Sequence, residues 1–149
     1  MPKSLTQVPS SHDNIQHSYQ FEYDLKPPDP GTWPSGDYYG DGAGGRDAAH
    51  PTLRRCGVGL SHLIGSVHQF GVSCALPGDI QTVPRAEITA ALICIMHLMH
   101  GALVRFYSDN FPFVQSFNKG RDHCRALLNA DLYCELFELI CDKELLFTG

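Results

Sequence analysis

The spacing of apolar and polar positions changes most sharply between Thr82 and Asn110. From Ile88 to Met99 almost every residue is apolar or small, which predicts a helix buried on most sides. Pro84 suits the first turn, where its missing N–H costs nothing, and Glu87 is placed in that same turn, where the helix dipole favours an acid. Gly101 is placed as the C-terminal cap. Leu103 to Tyr107 then reads as a strand of β-formers, stopped by Ser108-Asp109-Asn110. A helix rising ~1.5 Å per residue runs down roughly 20 Å from Glu87 to His100. A strand rising ~3.3 Å per residue climbs back about 23 Å from Ala102 to Asp109. The two lengths cancel, so Glu87 and Asp109 return to the same end of the layer. Two carboxylates at a strand's C-terminal end, with little basic sequence beside them, invite a cation.

Other elements follow from the same patterning. Tyr38-Tyr39 suits a short strand, and the glycines after Asp41 suit either a loop that brings backbone close to a ligand or a hairpin turn. Arg54 to Leu63 and Val67 to Leu76 are two further strands joined at Ile64-Gly65-Ser66, the first with Cys56, Val58 and Leu60 on one face. Three short strands with tight connections make an antiparallel meander. The helix from Pro84 then crosses over to a strand, Leu103–Tyr107, that runs parallel to its neighbour. Phe111 to Phe117 predicts a short helix ended at Lys119-Gly120, and Asn129 is the expected N-cap of a last helix, Asp131 to Lys143. Leu145-Leu146-Phe147 reads as the start of another strand. Residues 1–35 hold six of the ten prolines and read as a disordered tail or linker, with Trp33 a candidate anchor at its end. Residues 36–149 are left as one domain.

Bulk composition changes this picture little. At 149 residues, 43% hydrophobic and 18% charged, the chain suits a single soluble globular domain. A net charge of −5 argues against non-specific attraction to nucleic acid and leaves specific binding open. No apolar run reaches bilayer length, since Ala90–Met99 is interrupted by His97, and residues 1–18 lack a signal peptide's apolar segment, so an intracellular, nuclear or cytoplasmic setting with no membrane contact is expected. The six cysteines form no CxxC pair, and most sit in apolar company, as buried reduced thiols do. Cys94, His97 and His100 are three apart on the long helix, but zinc wants four ligands and no fourth is near in sequence.

Four short motifs stand in one order: Gly40-Asp41-Gly42-Ala43, Thr82-Val83-Pro84-Arg85-Ala86-Glu87, Tyr107-Ser108-Asp109 and Asn129-Ala130-Asp131-Leu132-Tyr133. In this order, on these elements, they resemble the type 1 ribonuclease H family over roughly Asp37 to Asp142. The resemblance implies an α/β, ribonuclease H-like mixed sheet, an antiparallel three-strand meander plus a parallel strand, with helices packed on it. The fold's last strand and helix are expected to be missing, the domain being C-terminally incomplete. The resemblance further implies an endonuclease that hydrolyses the RNA strand of RNA–DNA hybrids by a two-metal-ion mechanism. Asp41, Glu87 and Asp109 would be both its catalytic and its metal-binding residues, holding two Mg²⁺ ions, with Mn²⁺ as substitute. Gly42, Thr82, Arg85 and Asn110 would contact the nucleic acid. Mg²⁺ takes oxygen ligands and keeps several waters, and a pair of ions clamps the attacking and leaving oxygens of a phosphodiester. Bound cations also offset the repulsion between an acidic site and a polyanion.

The departures from the family pattern carry information too. The family has a fourth carboxylate at the start of a final helix, preceded by a histidine loop. Asp131 with His123 is one candidate for that pair; in the other alignment Asp131-Leu132-Tyr133 begins the penultimate helix, and no strand separates Asp109 from Asp131 to support the first. Val83-Pro84 and Phe111 stand where many members carry polar groups that touch the hybrid, the contacts by which RNA is told from DNA. Lys119, Arg121 and Arg125 supply the local positive charge, as solvated surface or as phosphate contacts. A second functional reading follows: a catalytically impaired, retroelement-derived remnant of this fold that only binds nucleic acid or a protein partner.

Overall fold

The computed structural model describes residues 21–44, 56–78 and 80–148. Its strands are β1 (Glu22–Asp24), β2 (Gly36–Ala43), β3 (Gly57–Ile64), β4 (Val67–Ala75), β5 (Leu103–Ser108) and β6 (Leu146–Thr148). Its helices are α1 (Val83–His97), α2 (Phe111–Lys119), α3 (Arg121–Cys124) and α4 (Ala130–Asp142). The strands form one mixed sheet in the order β1-β4-β3-β2-β5-β6. β2, β3 and β4 are the expected antiparallel meander, and β5 lies parallel to β2 after the α1 crossover. Among the described residues, no helix is long and apolar enough to cross a membrane.

Alternation along the strands sorts the sheet into two faces. Tyr38, Val58, Leu60, Val72, Val104 and Phe106 are buried on the face that carries the helices. α1 lies against β2 and β3, with α4 packed beside it. Its fit over β2 depends on two glycines: a Cβ on Gly40 would sit 2.4 Å from the Phe106 ring, and one on Gly42 2.9 Å from Ala86 Cβ and 3.0 Å from the Glu87 backbone nitrogen. Helix backbone and strand backbone therefore touch directly at Gly42.

Several expectations are corrected here. Residues before 36 join the fold: β1 pairs antiparallel with β4, and Trp33, only 1% exposed, forms a parallel bridge with Leu98. β1 itself holds no proline; the prolines follow it, at Pro27, Pro28 and Pro30. Of the two readings open for Trp33, anchor or exposed side chain, the structure shows the anchor, its backbone N–H donating to His97 O at 3.0 Å and its indole to Pro28 O at 2.9 Å. Residues 1–20 lie outside the described residues. Asp41-Gly42-Ala43 is strand, paired with Gly57-Val58-Gly59, where a loop or turn was expected, and Arg54 lies outside the described residues. α1 ends at His97, four residues before the glycine assigned as its cap. The Lys143 ammonium ends it instead, donating to the carbonyls of Ile95 (3.0 Å), Met96 (2.6 Å) and Leu98 (2.8 Å). Because α1 begins at Val83, Glu87 falls beyond its first turn, which holds no acid. Cysteine burial is mixed: all six are free, with Cys56, Cys94 and Cys124 buried, Cys74 and Cys134 half-buried and Cys141 exposed. The strand expected to be missing is present in part, since β6 pairs parallel with β5 at Leu103↔Leu146 to Arg105↔Thr148.

His62, fully buried on β3, stacks on Tyr38 and donates from Nδ1 to Asp37 O at 3.0 Å, leaving Nε2 buried without a partner among the described residues. Burial pushes its pKa below the ordinary 6.5. The unfolded chain thus binds a proton at His62 more readily than the folded one, so stability is full above pH 6.5 and falls as pH drops through that value toward the depressed folded pKa. Urea midpoints measured from pH 8 to pH 5 should fall below pH 6.5, and the fall should be shallower in His62→Phe. An unchanged slope would mean that His62 does not carry the effect.

Candidate metal and nucleic-acid site

The C-terminal ends of β2 and β5 and the start of α1 meet at one end of the sheet. Pairing runs from Gly36↔Val104 to Gly40↔Ser108, so Asp41 and Asp109 are the next residues on two adjacent strands. Tyr39 and Tyr107, two residues earlier on each strand, stack at 4.5 Å on the face without helices. Asp41 and Asp109 are both exposed and line a groove of about 980 Å³ on that face, with Tyr39, Ser61, Ser73 and Tyr107.

Glu87 approaches from the other side, in the second turn of α1. It is 4% exposed, and both carboxyl oxygens are engaged. Oε1 accepts the Gly42 backbone N–H at 3.2 Å, and Oε2 accepts the Ser108 hydroxyl at 3.0 Å. Burial raises the pKa of this carboxyl above the ordinary value. The hydrogen bonds from Ser108 and Gly42 work against that rise, and the charges of Asp41 and Asp109 add to it. Three carboxylates that feel one another, two of them open to solvent, are what β2, β5 and α1 bring together.

The residues singled out for nucleic-acid contact all have duties inside the chain. Gly42 faces α1 and holds Glu87 through its N–H. Thr82 is the N-cap of α1, accepting the Arg85 N–H at 3.3 Å. Arg85 forms a two-pronged pair with Asp131, at 3.1 and 2.7 Å, and a 3.3 Å bond to Asn129 Oδ1. That pair holds the Asp131 carboxyl below the usual range and ties α4 to α1. Asn129 consequently serves Arg85, and its side chain makes no capping bond to α4. Asn110 caps α2 through Oδ1, which accepts the Phe113 N–H at 2.8 Å.

For Mg²⁺ the donor set fits in kind. All three groups are carboxylates, and two of them reach solvent on one side of the sheet. Among the described residues, no three His, Cys, Asp or Glu side chains close around a single ion. Mg²⁺ does not require such a cage, since it is commonly held by one or two carboxylates, with waters and substrate phosphates completing the shell. The Cys94-His97-His100 series gathers no metal site either: Cys94 is buried, His97 Nδ1 bonds Ile93 O at 2.7 Å, and His100 meets Glu144 at 2.6 Å.

Sequence reasoning missed Ser108, whose hydroxyl joins Glu87 to β5. Its place directly before Asp109 at a strand end was the available signal, but a serine there reads equally well as a strand terminator.

No protein-family profile matches this chain, and no curated protein sequence matches it. Solved structures do. A foamy viral protease-reverse transcriptase in complex with an RNA/DNA hybrid matches with a TM-score of 0.61 at 14% identity, over 84% of this chain and 19% of that one. The solution structure of the RNase H domain of prototype foamy virus (PFV) matches with a TM-score of 0.58 at 18% identity, over 77% of this chain and 78% of that one. The same viral protein bound to dsDNA gives 0.60 at 16% identity. This chain therefore has the ribonuclease H-like fold, and it spans about a fifth of the length of the protease-reverse transcriptase chain that carries the hybrid.

If Asn110 is a cap first, Asn110→Ala should lower stability by about 1 kcal/mol, while Asn110→Asp and Asn110→Ser, which keep a side-chain acceptor, should lose little. Chemical denaturation of the three variants checks this, and equal losses in all three would contradict it.

Proposed function

We propose that this chain is a nuclease domain that hydrolyses the RNA strand of RNA–DNA hybrids, with Asp41, Glu87 and Asp109 holding divalent cations at the scissile phosphate. The observation that carries the reading is the placing of a buried glutamate from α1 between the strand ends that bear two exposed aspartates. The fold shared with a viral RNase H domain, and the RNA/DNA hybrid bound by one matching protein, support the choice of substrate.

Mg²⁺, when bound, supplies an activated water and stabilises the leaving oxygen. The work of the chain is to position and to exclude. Asp41 and Asp109 stand at the ends of hydrogen-bonded strands, which fixes their spacing to that of the sheet. Glu87 is held by donors on both oxygens, so its carboxylate needs little reorganisation before it acts. The groove on the open face, floored in part by Ser61 and Ser73, gives a polynucleotide a path past the two aspartates. Free cysteines fit a reducing, intracellular setting.

One observation favours a second reading, binding without cleavage. Asp131, the candidate fourth acid, is paired with Arg85 rather than turned to the other three.

A 5′-labelled RNA–DNA hybrid incubated with the chain and Mg²⁺ or Mn²⁺ separates the two. Cleavage confined to the RNA strand is expected, lost more than about 100-fold in Asp41→Asn, beyond the 10–100-fold typical of groups that only orient a metal ligand. Hybrid retained without cleavage, by the wild type and Asp41→Asn alike, would establish the binding reading instead.

A further inference from the structure

We infer that Ser108 is a positioning residue that sets two of the three carboxylates at once; the inference rests on the reading of the site as a divalent-cation centre. The Ser108 hydroxyl oxygen accepts the Asn110 backbone N–H at 3.1 Å. With that N–H directed at the oxygen, the hydroxyl proton is free to go to Glu87 Oε2, 3.0 Å away. The first bond closes a tight turn from residue 108 to residue 110, and Asp109 is the residue inside it. The second fixes the buried carboxyl of Glu87. A single side chain thereby sets the backbone that presents Asp109 and the orientation of Glu87.

The partners of this relay are themselves fixed. Asn110 is tied to the first turn of α2 through its side chain, so the amide that points at Ser108 cannot drift. Gly42 holds the other oxygen of Glu87 from β2. Removing the hydroxyl leaves Glu87 with one restraint and Asp109 with none from this turn. Groups that orient metal ligands in this way are worth about 10–100-fold in metal affinity. Threonine carries the same hydroxyl on a β-branched carbon suited to the end of a strand. It should therefore replace serine where alanine cannot.

The test is binding of Mn²⁺ alone, read from the free-ion EPR signal, to the wild type, Ser108→Ala and Ser108→Thr, with circular dichroism and thermal melts recorded on each. The expected result is a Kd weakened about tenfold or more in Ser108→Ala with its secondary structure intact, and restored to within about threefold of wild type in Ser108→Thr. Should Ser108→Ala not fold, Ser108→Cys, close in size but a weak donor, takes its place with the same expectation. Tight binding by the wild type with no change in Ser108→Ala overturns this inference and leaves the cation site standing. Loss in both Ser108→Ala and Ser108→Thr overturns it in favour of a purely structural role. No saturable binding by the wild type overturns the cation site, and this inference with it.

Discussion

A buried carboxyl held on both oxygens is the joint on which this molecule turns. Glu87 takes one hydrogen bond from the backbone of β2 and one from the side chain that ends β5. Placing a carboxylate in the interior costs several kcal/mol unless donors meet it. The two donors lower that cost, and in doing so they tie the start of α1 to the two strands that carry Asp41 and Asp109. Burial first, and then the like charges of the two aspartates, still push its pKa upward. A purely structural role would be served better by an amide or an apolar group.

The scaffold makes that joint possible through close approach. With Gly40 and Gly42 on the face of β2 beneath it, α1 sits near enough for the Gly42 N–H to reach Glu87 directly. Farther along, the same helix is buried on nearly every side, stopped by the Lys143 ammonium and braced by Trp33 against His97. The remaining contacts near the site act as fasteners. Arg85 and Asp131 clasp α1 to α4, and Asn110 starts α2 immediately after Asp109.

Much of this was legible in the chain because it rests on local chemistry. The nearly continuous apolar run from Ile88, the β-formers of Leu103–Tyr107 and the short helix from Phe111 are each set by nearest neighbours. The cancelling lengths of helix and strand were enough to bring Glu87 and Asp109 to one end. What escaped was set by distant partners. β1 exists because β4 offers it an edge, the end of α1 is decided by a lysine 46 residues beyond His97, and Asn129 gives up its expected cap to serve Arg85. Arg85 looked available for nucleic-acid contact for the same reason, since its carboxylate partner lies 46 residues away on another helix. Asp41 looked like part of a loop because Asp-Gly favours turns; the pairing of β2 with β3 overrides that preference.

The central claim is that Asp41, Glu87 and Asp109 form one cation-binding locus. Paramagnetic broadening of ¹H–¹⁵N amide signals by substoichiometric Mn²⁺ tests it most directly. The account predicts selective loss of the signals of Asp41, Gly42, Asp109, Asn110 and the first two turns of α1, while those of the β3–β4 turn and the end of α4 stay sharp. Broadening centred elsewhere, around Cys94, His97 and His100 for example, or spread evenly over the exposed acids, would contradict it.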